Sequence, residues 1–172
     1  MVKFRHPGSY QQMCHFVASN IRDLVRTHNT PVIGLATGST PIGVYDELKK
    51  MTNTKFSNTY TINLDEYVGL EPEFNARLKG KEGYGHPQHP QSYYHFIEPG
   101  TSRDSLTHVV DLTESTIKDN SRFFDSINDV PKQATTMGIE SIMRAKRIYL
   151  LAQGKHKKDI FDKAFKGEIT PD

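Results

Sequence analysis

Pro31-Val-Ile-Gly-Leu-Ala-Thr-Gly-Ser-Thr-Pro41 is the stretch on which the fold turns. Its first half, Pro31–Ala36, is a short apolar run suited to a strand buried on both faces. Thr37-Gly38-Ser39-Thr40 is turn chemistry. Pro41 suits the first position of a helix, with Thr40 as its cap. Ile42, Tyr45 and Leu48 then supply the inward face of that helix.

Upstream, apolar side chains fall at Met13, Phe16, Val17, Ile21, Leu24 and Val25, spacings that place them on one face of a helix over Tyr10–Thr27. Asn29 is expected to end it. Downstream, Thr59-Tyr-Thr-Ile-Asn-Leu64 is β-branched and aromatic, hence a second strand, and it delivers Asp65 at its carboxyl end. Helix, strand, helix, strand is the order of parallel α/β winding, where ligands bind beyond the carboxyl ends of the strands.

Residues 71–88 interrupt this order with Gly80, Gly83, Gly85, Pro87 and basic side chains, and read as an inserted or flexible loop. Beyond it, 106–112 is a candidate strand, Ser115–Phe124 has helical character, and Ile139–Met143 is a short apolar segment. Arg147-Ile-Tyr-Leu-Leu-Ala152 reads as a further strand. Gln153-Gly154-Lys155-His156-Lys157 and a helix carrying Ile160, Phe161, Ala164 and Phe165 follow.

The 172 residues suffice for one α/β domain, 1–172. A formal charge of +2 with no concentrated basic stripe argues against a nucleic-acid partner. No apolar run reaches membrane-spanning length and no secretory segment opens the chain, so a soluble cytoplasmic protein is expected. The single cysteine, Cys14, is placed in the core by its helical pattern and excludes an internal disulfide framework.

Local chemistry leaves several readings open. Thr37–Thr40 combines a glycine, hydroxyls and a following helix N-terminus, which suits a phosphate and equally an ordinary strand-to-helix turn. Lys157, after a comparable glycine turn, is either a point charge for a phosphate or a solvated lysine. Asp65-Glu66 could include a general base for removing a proton next to a carbonyl, or a turn carboxylate capping backbone N–H groups. Glu98 precedes Pro99-Gly100 and is by default a loop glutamate. The histidines show no metal-ligand spacing, so no metal site is expected.

Longer segments resemble one family. Gly34-Leu-Ala-Thr-Gly-Ser-Thr-Pro-Ile-Gly43 is similar to the phosphate loop of glucosamine-6-phosphate deaminases. Asn63-Leu-Asp-Glu-Tyr-Val-Gly-Leu70 resembles their strand-end segment, and His89-Pro-Gln-Ser-Tyr-Tyr-His-Phe96 the segment after it. Asn120-Ser-Arg-Phe-Phe124, Val130-Pro131 and the glycine–lysine turn at 154–157 match later landmarks. Sugar-phosphate lactonases of the same fold usually carry Asp-Glu-Arg where this chain has Tyr67.

The resemblance implies an α/β fold with an open, modified Rossmann-type parallel sheet and flanking helices. It implies conversion of glucosamine 6-phosphate to fructose 6-phosphate and ammonia in amino-sugar catabolism, grouped here with hydrolase chemistry, with no metal or organic cofactor. Asp65 is then the base that moves the proton between C2 and C1. Gly38, Ser39 and Thr40 hold the phosphate with Lys157 as counter-charge, and Glu98 assists ring opening by orienting a histidine. That histidine lies in a family block that belongs between Ile97 and Glu98 and is absent here, which leaves the sheet incomplete. The chain also stops before the family's usual C-terminal elements. A non-catalytic sugar-phosphate-binding relative is therefore the alternative, with a lactonase behind it. Exposed edges of a shortened sheet lead us to expect a homo-oligomer.

Overall fold

A computed structural model describes residues 2–36, 38–69 and 100–167. Thr37, the 71–88 segment and Glu98 lie outside the described residues. The chain divides into two compact units: one from segments 1–35, 39–62 and 149–167, the other from 36–38 and 63–148 within the described residues.

The first unit opens with α1, Tyr10–Thr27, whose bounds match the periodicity of its apolar residues. Ser9 caps it, its Oγ accepting the Gln12 N–H at 3.2 Å. Strand β1, Val32–Leu35, leads through α2, Ile42–Lys50, to strand β2, Tyr60–Asn63. The two strands are hydrogen-bonded neighbours. Their starting ends are joined by Tyr60 N–H donating to the Pro31 carbonyl at 2.9 Å, so they run in the same direction. This is the expected parallel βαβ unit. Its core is Cys14, Val17 and Ala18 of α1 against Val44 of α2, with Tyr10, Ile21, Leu48 and Met51 around them. A fully buried valine of this kind contributes about 1.5–3 kcal/mol.

Three expectations are corrected here. Strand β1 is buried on one face only: Ile33 is covered, whereas Val32 is 59% exposed. Tyr60 and Ile62 of β2 are exposed as well. Pro41 is the N-cap of α2 rather than its first helical residue, and no side chain caps the helix there. Arg147–Ala152 forms no strand. It keeps the alternation of one, with Tyr149 and Leu151 packed on the α1–α2 core and Ile148 and Leu150 exposed. Alternation alone makes an extended segment, and a strand also needs a neighbouring edge for its amides. The last helix, α5, Lys158–Lys166, follows a 3-10 turn at Lys155–Lys157. Its Phe161 and Phe165 rings meet Phe4 edge-on, with centroids 6.0 and 5.1 Å away.

The second unit is a three-stranded antiparallel sheet in the order β3-β5-β4, made from Asp65–Tyr67, Gln133–Thr136 and His108–Asp111. Asp65 stands opposite Thr136, and Tyr67 opposite Ala134. On the other edge His108 pairs with Thr136 and Asp111 with Gln133. Leu112 and Ala134 form its core with Tyr67, Val110 and Ile117 packed on them. Helix α3, Glu114–Asn120, is capped by Thr113 and runs into a 3-10 turn. The apolar segment Ile139–Met143 is a short helix, α4.

Candidate active site

The residues just ahead of and within the first turn of α2 are held by a side chain of α1. Gly38 has φ +82, a left-handed conformation that suits glycine and lets the chain reverse out of β1. The Thr40 carbonyl accepts the Tyr10 hydroxyl proton at 2.9 Å, and the same hydroxyl accepts the Gly43 N–H at 3.0 Å. A Cβ on Gly43 would lie 2.7 Å from Cys14 Sγ and 2.9 Å from the Tyr10 oxygen. Burial pushes the Tyr10 phenol pKa up, with the Gly43 N–H pulling the other way.

Lys157 is the exposed N-cap residue of α5. Its neighbours Lys158 and Lys166 are drawn to Asp162, at 3.6 and 2.7 Å. Lys157 makes no such ion pair among the described residues. The glycine turn before it is genuine, since Gly154 has φ +95.

In the second unit, Asp65 follows β2 by one residue and opens β3, where it is 2% exposed. A carboxylate is rarely so covered without a functional or pairing reason. The sheet sets buried Thr136 across the ladder from it, and buried Asn120 of α3 meets Tyr67 two residues on. Tyr67 has its hydroxyl pKa raised well above the ordinary tyrosine range. Burial is the main cause and the Asp65 carboxylate adds to it, while a hydrogen bond with Asn120 opposes it. The Tyr67 ring is held edge-on to Phe124, with centroids 5.8 Å apart. Glu66, beside the candidate base, instead accepts the Asn63 side-chain amide at 2.9 Å. The pair Asp65-Glu66 is thus divided: a buried carboxylate and one tied to the preceding strand.

Ser39, Thr40 and Lys157 belong to the first unit, and Gly38 and Asp65 to the second. Sequence reasoning missed Tyr10, Asn120 and Thr136 as parts of these surroundings. Tyr10 was within reach, because it lies one helical turn before Cys14 on the inward face of α1. Thr136 offered no signal, since only strand pairing brings it opposite Asp65. Among the described residues no group of three metal-ligating side chains comes together. No helix among them is long and apolar enough to cross a membrane.

A parallel βαβ unit, followed just past its second strand by a short antiparallel sheet, defines an α/β protein of the Rossmann-like class. Comparison with known proteins narrows this. A glucosamine-6-phosphate deaminase of Oceanobacillus iheyensis is 37% identical over 216 residues, covering 98% of this chain and 86% of that protein. One from Lachnoclostridium phytofermentans is 39% identical over 216 residues, covering 99% and 92%. One from Streptococcus pyogenes is 43% identical over 180 residues, covering 81% and 76%. A solved structure of a monomeric glucosamine-6-phosphate deaminase of the NagB superfamily superposes with a TM-score of 0.77 at 33% identity, covering 95% of this chain and 87% of that one. No protein-family model matches. The chain belongs to the glucosamine-6-phosphate deaminase family.

The grouping with hydrolases is overturned by these relatives, which are deaminases of lyase or isomerase type. The matched span of 216 residues in two relatives exceeds the 172 residues of this chain, so those relatives carry internal residues without a counterpart here.

Proposed function

We propose that this chain isomerises and deaminates glucosamine 6-phosphate to fructose 6-phosphate and ammonia. Family membership over nearly the whole chain, with a buried aspartate held at the strand end, is the observation that carries the proposal. In the open-chain sugar, Asp65 takes the proton from C2 and returns it to C1, leaving an imine at C2. Water adds at that carbon and ammonia departs, which gives the ketose. A carboxylate held in place this way needs little reorganisation at the moment of transfer. Gly38, Ser39 and Thr40 bind the phosphate through backbone N–H groups and hydroxyls, and Lys157 supplies a point charge. Glu98 assists ring opening.

Ammonia and fructose 6-phosphate release from glucosamine 6-phosphate tests this directly. Asp65→Asn is expected to lower kcat by about 10²–10⁴-fold, the usual worth of a positioned base. Turnover that survives the substitution would exclude Asp65 as the base. The excess length of the relatives' matched span favours one second reading, a sugar-phosphate binder without turnover. Calorimetry with glucosamine 6-phosphate separates the two: binding with no ammonia release in the wild type supports the binder.

We place the reaction in the cytoplasm, where a phosphorylated sugar is retained by its charge. The exposed apolar face of Val32, Tyr60 and Ile62 supports self-association. Light scattering at micromolar concentration is expected to give a mass above that of one chain. A clean monomer, the state of the solved relative, would remove the oligomer from the proposal.

A further inference from the structure

We infer that Tyr10 is a positioning residue for the Gly38–Thr40 turn, holding it in the shape that receives a phosphate; this rests on the phosphate role proposed above. The tyrosine hydroxyl has one proton, and it goes to the Thr40 carbonyl at 2.9 Å. It also accepts the Gly43 N–H at 3.0 Å. The two bonds straddle Pro41, which has no N–H of its own and, as N-cap of α2, no side-chain oxygen to offer. The cap of α2 is therefore supplied by α1, across thirty-odd residues of chain.

Two further features make the contact specific. Tyr10 is packed against the α1–α2 core, so its ring is not free to swing away. Gly43 has no side chain, and a Cβ would press on the Tyr10 oxygen and on Cys14 Sγ. Glycine at 43 is the condition for the hydroxyl's approach. With Thr40 and Gly43 both pinned, the backbone donors ahead of Pro41 are fixed in direction before a ligand arrives. The Gly43 N–H is occupied, so the phosphate is met by the turn itself rather than by that residue of the helix.

Tyr10→Phe tests this, because it keeps the ring and removes both bonds. With glucosamine 6-phosphate, KM is expected to rise about tenfold, the worth of one to two net hydrogen bonds. The value of kcat is expected to stay within roughly twofold, since the base is untouched. Titration with glucosamine 6-phosphate and with inorganic phosphate should show a matching loss of affinity. Gly43→Ala, which keeps the tyrosine but displaces its hydroxyl, is expected to show the same split and decides the matter if Tyr10→Phe does not fold. Unchanged KM and phosphate affinity in a folded variant would overturn the inference, as would a loss confined to kcat. If the wild type binds both ligands without turnover, the deaminase assignment fails, and weaker binding by Tyr10→Phe still supports the positioning role. A wild type that binds neither ligand overturns it.

Discussion

Asp65 and Tyr67 sit two positions apart on one short strand and so share a face of the sheet. The carboxylate discourages loss of the phenol proton, and burial discourages it more. Tyr67 therefore keeps its phenol proton more firmly than an ordinary tyrosine. The sign of the resulting pH dependence is fixed. The folded state holds this proton more tightly than the unfolded chain, so the contribution to stability is complete below the ordinary tyrosine value of 10.0 and declines as pH rises above it. Urea midpoints followed from about pH 8 to 11 should fall more steeply for the wild type than for Tyr67→Phe. Parallel curves would show that another group governs alkaline unfolding.

At the scale of elements, α1 and α2 are joined by more than their apolar seam. His15 on α1 and Lys50 on α2 both reach Glu47, at 2.9 and 2.7 Å. Lys50 is the larger cause of the lowered Glu47 pKa, with His15 next. A depressed carboxyl pKa contributes stability above the ordinary glutamate value of 4.5 and loses it as pH falls through the folded value. Thermal midpoints of wild type and Glu47→Gln should thus converge as the solution is acidified below that value. A constant gap down to strong acid would assign the difference to packing instead. Salt should narrow the gap as well, because His15 and Lys50 are largely exposed.

The same elements explain what could be read in advance. α1 was legible because its apolar residues repeat one period over eighteen positions. The β1–α2–β2 unit was legible because glycine, hydroxyl and proline chemistry marks the turn between an apolar run and a helix. Of the three-stranded sheet only β4 was legible, inside the expected strand 106–112. Asp65-Glu-Tyr67 is too short to carry a pattern, and it follows β2 after only Leu64. Gln133-Ala-Thr-Thr136 pairs with residues far away along the chain, which no local preference encodes. Arg147–Ala152 failed in the opposite sense, having the pattern of a strand without a partner. For the candidate site, family resemblance was what pointed to the turn and the aspartate. The Tyr10 contact depends on how two helices pack, and so appears only in three dimensions.

Across the whole molecule the sequence holds a single thiol, and the fold places it at the centre of the helix pair, where Cys14 is 1% exposed. An aqueous thiol reagent can reach it only when α1 lifts from α2. Cys14 is in consequence a built-in clock for the opening of that unit, readable without any engineered label. Modification in native buffer should be much slower than in urea, and glucosamine 6-phosphate should slow it further by favouring the closed form. Labelling at the unfolded rate in native buffer would mean that the helix pair is not seated in solution. Because the sulfur lies against Gly43 and Tyr10, this clock would time the very contact that shapes the phosphate turn.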